Sequence, residues 1–412
     1  MKGIKNLSIN NHFSNNLRTF GTTTNQRKPS RTTGKCRSTS SCGSWLINLR
    51  VGFKMVITLP AILFCACQVF LGPDADTSPE GVLYSLWKDF NEIHAYIHIR
   101  MDNNSEFNNW EDVYTHYNNE LSSGKMNLFD ACGDMLRELA DPHVNLYATG
   151  GNIAIFDNTI YTYKRGSTYT AEREEFITII KSYLMDDGNI TDNNIFLYGV
   201  FNSAPHIGYL YIPRFVDSQD PTGSFMWVEA IDDIVKFFRE NTSALIIDVR
   251  YNTGGMSPVM EYIAARFASV QANYLMASPK NGPGRDDFST PMIYKVAPAG
   301  TPYTKPVALL TNRASFSAAE WFALAMRNQP HVTHVGLSTC GALSIRSVRP
   351  MINGWYYSIS AYKVTDMNEK CYEGFGVRPQ VEISGAEVQR WTVHPGSQLE
   401  GVLEEVLKWL NP

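Results

Sequence analysis

From His206 onward the chain alternates strand-length apolar runs with helix-length amphipathic ones, and few architectures accept that rhythm. GYLYIPRF (208–215), SALIIDVRYN (243–252), VALLTN (307–312) and THVGL (333–337) have the length and β-branched content of buried strands. Between them FMWVEAIDDIVKFFREN (225–241), SPVMEYIAARFA (257–268) and the run after Ser317 read as helices. Strands joined by crossover helices predict an α/β core with a largely parallel sheet. The tail adds strands at 355–364 (WYYSISAYKV) and 381–383 (VEI), then a closing helix at 399–410.

The segment ahead of this core has another character. SPEGVLYSLWKDFNEIHAYI opens with a Ser-Pro-Glu cap at Ser78, and WEDVYTHYNNEL and LFDACGDMLRELA add two amphipathic helices ending at Asp141-Pro142. Residues 144–170 turn to aromatic and β-branched types that suggest strands, and 171–184 (AEREEFITIIKSYL) to another helix. The expected divisions are a basic, disordered or over-extended start over 1–54 and a signal peptide over 55–67, with 68–78 as linker. A helical domain follows at 79–145, then an intermediate strand/helix segment at 146–205 and the core at 206–412.

Charge separates the first 54 residues from the rest, since they hold ten Lys and Arg and no Asp or Glu. The remainder therefore has 26 basic against 40 acidic residues. The start is too polar to bury a core and implies no nucleic-acid site. Arg50 and Lys54 then flank the apolar run MVITLPAILFCACQVFLG from Met55, too short to span a bilayer and shaped like a signal peptide. Export is the expectation, with Met1 or Met55 as the start of translation. Cys67 resembles the lipidated cysteine of a bacterial lipoprotein signal, although Phe64 stands where that signal usually has Leu. Of seven cysteines, only Cys132, Cys340 and Cys371 follow this run. Without CxxC pairs they imply no zinc site, and Cys340 with Cys371 is a candidate disulfide.

Three places can carry chemistry. Ser317 lies where an apolar strand becomes an apolar helix, so backbone N–H groups at the helix start could stabilise an oxyanion. The same residues, Ser317-Ala-Ala-Glu320, spell a capping box in which the serine accepts from the backbone and the glutamate reaches back. Gly254 and Gly255, after the strand ending at Asp248, offer backbone that can approach a substrate or make a plain turn. No GxxxxGK[ST] accompanies that Asp, which sets nucleotide hydrolysis aside. Nine histidines could serve as base. His94 and His98 lie i, i+4 on the first expected helix, on a partly exposed face; His331 and His334 flank a strand; His143 follows a helix stop. Local sequence does not choose among them.

The ordered elements LWKDFNEIHAYI, WEDVY, LADPHVNL, GYLYIPRF, IIDVRYNTGG, NRASFSAAEW, THVGLSTCGA and YEGFGVRPQVEI, over residues 80 to 410, resemble the tail-specific (C-terminal processing) serine peptidases. The branch most resembled holds the tricorn core and the interphotoreceptor retinoid-binding protein modules. The resemblance implies a crotonase- or ClpP-like spiral of strands and helices, with no PDZ-like segment between His143 and GYLYIPRF. It implies Ser317 as nucleophile, His143 as general base, Glu373 as the acid that orients it, and Gly254, Gly255 and Ala318 at the oxyanion hole. Peptide or protein substrates, no metal and no organic cofactor follow from the same resemblance. A Ser/Lys dyad is disfavoured because Ala342 follows GLSTCG where that branch has lysine. Pro142 replaces the serine that in tricorn relays between base and acid, and Gln380 replaces the usual Asp after Pro379. Two other readings are a binding module, with Trp110, Trp321 and Trp355 lining an apolar pocket, and an inactive envelope scaffold. The expected location is the bacterial periplasm or the outer membrane, where Cys67 would be the sole membrane attachment; oligomeric state is left open.

Overall fold

Strands of five buried residues make the centre of this molecule. The computed structural model describes residues 76–148, 154–157, 167–191, 195–216 and 226–383, with 403, 406–408 and 410. The basic start, the signal-like run with Cys67, and most of the closing helix lie outside the described residues. Among those described, no helix is long and apolar enough to cross a membrane.

Helix α1 (Pro79–Ile93) begins at Ser78, whose hydroxyl accepts from the Gly81 N–H, with proline at its first position. It stops at His94, and α2 (Ile97–Asp102) follows after a break. Helices α3 (Trp110–Ser122) and α4 (Leu128–Arg137) are capped by Asn109 and Asn127, whose side chains accept from the N–H groups of Asp112 and Asp130. Leu83, Phe90, Trp110, Val113 and Leu136 bury one face of these helices together. That face rests on β1 (Asn145–Ala148), which pairs with β2 (Ala154–Asp157). Its other neighbour is the late strand Tyr356–Ser360, with Asn145 opposite Ser358.

The core follows after α5 (Ser167–Tyr183). In chain order come β3 (Asn189–Ile190), β4 (Leu197–Val200), β5 (Ile207–Tyr211), α6 (Met226–Asn241), β6 (Ala244–Asp248), α7 (Ser257–Ala265), β7 (Ala272–Pro279), β8 (Met292–Val296), β9 (Val307–Thr311), α8 (Ala318–Arg327) and β10 (Val332–Gly336). The chain continues with β11 (Arg346–Pro350), β12 (Tyr356–Ser360), β13 (Tyr362–Thr365) and β14 (Val381–Glu382). The main sheet runs β14-β10-β9-β6-β5-β4-β3, parallel through β5 and antiparallel at β4 and β3. Its central strands β5, β6 and β9 are buried at every position because both faces are covered. Leu245, Ile247 and Leu309 enter one buried cluster, while Ile246, Ala308 and Leu310 enter the other. Helix α8 is buried at every residue from Ala318 to Met326, as a helix apolar all round must be.

The structure corrects several local readings. His94 and His98 do not share a helix: α1 ends before His94, which is wholly buried rather than on a partly exposed face. His334 lies inside β10 rather than beside it. The 144–170 stretch holds β1 and β2 but gives way to helix at Ser167. The tail run 355–364 splits at Ala361 into β12 and β13, which join different sheets. The sheet β13-β7-β8 includes two strands for which the sequence offered no reading. Cys132, Cys340 and Cys371 are free thiols, so Cys340 and Cys371 are not bridged.

His334 gives the fold a pH dependence. The Thr311 hydroxyl donates to the Leu337 carbonyl at 2.7 Å, so the His334 Nε2–H, also at 2.7 Å, donates to that hydroxyl; Nδ1 is buried without a partner. Burial lowers the imidazole pKa to about 3. The folded state thus prefers the neutral ring: this stability is complete above the ordinary value of 6.5 and lost as pH falls towards 3, at about 1.4 kcal/mol per pH unit. His334→Gln should therefore flatten the loss of stability between pH 6.5 and 4.5 by roughly 2 kcal/mol, read by urea unfolding. An unchanged slope would contradict this.

Candidate active site

β9 delivers the chain into a turn fastened at almost every residue. Asn312 accepts from the Ser315 N–H through its carbonyl and from the Ala314 N–H through its side chain, while the Ser315 hydroxyl donates to the Val249 carbonyl. The Phe316 N–H donates to the Asn252 carbonyl. The turn is therefore tied to the loop after β6, and that loop is itself braced. Asp248 is buried and accepts from Arg250 and from the Tyr209 hydroxyl. Its role is structural, with every partner in the scaffold.

Ser317 leaves this turn at φ 58° and ψ −119°, a sparsely populated conformation for a residue with a side chain. A sharp, strained strand-to-helix turn is one way to lift a serine hydroxyl out of its own backbone. The expected capping-box residues stand at the helix start: Glu320 accepts from the Ser317 N–H at 3.1 Å, and the Glu320 N–H donates to the Ser317 carbonyl at 2.8 Å. The buried Glu320 also accepts from the Thr339 hydroxyl (2.6 Å) and the N–H groups of Gly341 (2.6 Å) and Ala342 (2.9 Å). Burial pushes its pKa up to about 7 against the pull of these donors. Ala342, at the position where lysine would stand in a dyad, is wholly buried with its N–H on this carboxylate.

The two glycines have different tasks. At Gly254 (φ +80°) an added Cβ would lie 2.6 Å from the Phe316 carbonyl oxygen and 2.7 Å from the Ser317 Cβ, so only glycine lets this loop pack on the serine turn. Its N–H donates to the Asn252 side chain. Gly255 has no such engagement: among the described residues, neither its N–H nor that of Ala318 has a hydrogen-bond acceptor. Gly255, Ser317, Ala318 and His143 line one cavity of about 770 Å³.

His143 reaches that cavity from the other side of the molecule. Pro142 ends the helical segment, and Asp141 accepts from the His143 N–H at 2.8 Å while the His143 carbonyl accepts from the Ser358 hydroxyl of β12. The ring rests on Phe316, the residue before the serine, with centroids 4.8 Å apart. Beneath it Asp141 also bonds the buried His94 Nε2 at 2.9 Å. Burial lowers the His94 pKa despite this carboxylate, and its Nδ1 accepts from the Tyr96 N–H, so a neutral ring donates to Asp141. Burial would raise Asp141, but His94, Arg100 and His143 outweigh it and hold the carboxyl below its usual range.

Glu373 is held by partners of its own. Its carboxylate accepts from Arg100 at 3.0 Å and from the Leu343 N–H at 2.9 Å, and it lines a separate cavity of about 500 Å³. Burial, reinforced by Asp141, pushes its pKa up to about 8. Asp141 is the acid that the structure places next to His143. Sequence reading assigned it no role, though the D-x-H spacing was the available signal. Trp321 lines the serine cavity, whereas Trp110 and Trp355 pack with the N-terminal helices.

Residues 206–383 match the model of Peptidase family S41, a segment that holds Gly254, Gly255, Ser317 and Glu373 but not His143. Over that segment the chain is similar to this peptidase family, which the carboxy-terminal processing proteases and the solved structures below also resemble. It is 27% identical over 181 residues to the carboxy-terminal processing protease CtpB of Bacillus subtilis (strain 168), a match spanning 43% of this chain and 34% of that relative. The chain thus spans about a third of that curated relative's length. A crystal structure of a putative peptidase from Parabacteroides merdae ATCC 43184 is 27% identical, covering 81% of this chain and 97% of its own, with a TM-score of 0.63. Mature CPAF, 14% identical with the same coverage of each chain and a TM-score of 0.59, shares the fold.

Proposed function

We propose that this chain is an exported serine endopeptidase in which Ser317 attacks the peptide carbonyl and His143 takes and returns the proton. The observation that carries this reading is Ser317, held at positive φ at the start of α8 and lining one cavity with His143 and with Gly255 and Ala318, whose N–H groups have no acceptor among the described residues. In the first step the Ser317 oxygen bonds the carbonyl carbon, its proton moves to His143, and the oxyanion sits on the N–H groups of Gly255 and Ala318. Collapse breaks the C–N bond, and the amine leaves with the proton from His143. Water, deprotonated by the same ring, then releases the acyl group. Asp141 holds the backbone of His143, and Arg100, paired with Glu373, braces the same segment through the Ala140 carbonyl. Export rests on the sequence from Met55 to Cys67 alone.

A histidine mechanism makes a sharp prediction. His143→Ala should lower kcat/KM for an internally quenched peptide by about 10²- to 10⁴-fold. Lys363→Ala should leave it unchanged, because Lys363 lies over Phe288, outside the residues lining the serine cavity. The reverse pattern would move the base to a lysine.

A further inference from the structure

The serine cavity is basic in a chain that is acidic from residue 55 onward. Arg173 from α5, Arg214 after β5 and Arg346 at the start of β11 line it, and none of its described lining residues is Asp or Glu. Arg100, Arg250, Arg266 and Arg285 each meet a carboxylate, while Arg239 and Arg313 donate to backbone carbonyls. None of the three cavity arginines makes an ion pair among the described residues. Two are instead aimed by neutral phenols, Arg346 donating through Nη2 to the Tyr147 hydroxyl at 2.8 Å and Arg173 through Nε to the Tyr211 hydroxyl at 3.4 Å. A guanidinium has five N–H donors, so each anchored arginine keeps others for a ligand, while its charge meets no carboxylate among the described residues. Arg214 is exposed and carries no such anchor.

Resting on the assignment of Ser317 as nucleophile, we propose that these arginines select peptides by a carboxylate near the scissile bond. The carboxylate belongs either to an Asp or Glu side chain or to the end of the peptide. Planar guanidinium and carboxylate groups pair through two parallel hydrogen bonds, and a cleft lined by one sign of charge concentrates ligands of the other. Screening by salt follows, since the cavity is open to solvent.

The test is competition. A neutral fluorophosphonate labels Ser317, and four matched peptides protect it: Glu or Gln at one internal position, each with a free or amidated C-terminus. Carboxylate-bearing peptides should protect wild type at concentrations about tenfold lower than the Gln amide, the advantage shrinking at high salt. Loss of the advantage on Glu→Gln assigns the carboxylate to a side chain; loss on amidation assigns it to the chain end. Arg173→Gln/Arg214→Gln/Arg346→Gln should bring the ratio close to one, referenced to that variant's own labelling without peptide. Should the triple variant misfold, Arg214→Gln, at the exposed and unanchored position, should reduce the ratio by itself. Equal protection by all four peptides, or a preference that survives these variants, overturns the proposal. Absence of any labelling of folded wild type instead overturns the nucleophile assignment.

Discussion

Ser317→Ala is expected to abolish peptide hydrolysis, lowering kcat/KM by on the order of 10⁴-fold or more, while leaving the fold intact. The two halves of that expectation have one cause. The Glu320 N–H donates to the Ser317 backbone carbonyl at 2.8 Å, so removing the hydroxyl leaves that helix N–H group satisfied. The positive φ is equally strained for serine and alanine, since both have a Cβ. Stability should therefore change by less than about 0.5 kcal/mol. A serine that capped α8 in the ordinary way would cost about 1 kcal/mol on truncation. Measuring urea unfolding and turnover on the same preparation separates the two roles, and a destabilised but active variant would restore the capping reading.

Glu320→Ala should do the opposite, destroying the site by loosening its frame. One carboxylate oxygen receives Thr339 and Gly341, the other Ala342 and Ser317, all in a buried setting. Removing the group leaves four donors unsatisfied, at about 1–3 kcal/mol each when buried, so a loss of roughly 4 kcal/mol or more is expected, with activity lost alongside. Glu320→Gln should recover only part of this, because an amide accepts with one end and meets the other pair of N–H donors with its own NH₂. The measurement is again urea unfolding, and a Glu320→Ala variant within 1 kcal/mol of wild type would contradict it.

The contrast between these two residues shows how much of the site was legible in sequence. S-x-x-E announced a helix start, and the helix starts there, but the pattern does not say that the turn will hold the serine at positive φ. That depends on Gly254, 63 positions earlier, lying against the serine turn where a Cβ could not fit. The main sheet was readable because its strands are apolar on both faces, a local signal. The sheet that carries His143 was not, because β1 pairs with β12 across more than two hundred residues, and such pairing leaves no periodic trace. Asp141 was missed for a related reason. Its partners, His94 on one side and the His143 N–H on the other, meet only once the first helix breaks at His94. Glu373 was named through resemblance, and its true bonds, to Arg100 and Leu343, belong to tertiary structure alone.

The central claim is that Ser317 is a nucleophile activated in place by His143. Peptide mapping by mass spectrometry after treatment with a fluorophosphonate tests it most directly. The account predicts a single adduct on the peptide holding Ser317 in wild type, sharply slowed labelling in His143→Ala, and none in Ser317→Ala. An adduct on another residue, or a folded wild type that takes no label, would contradict it.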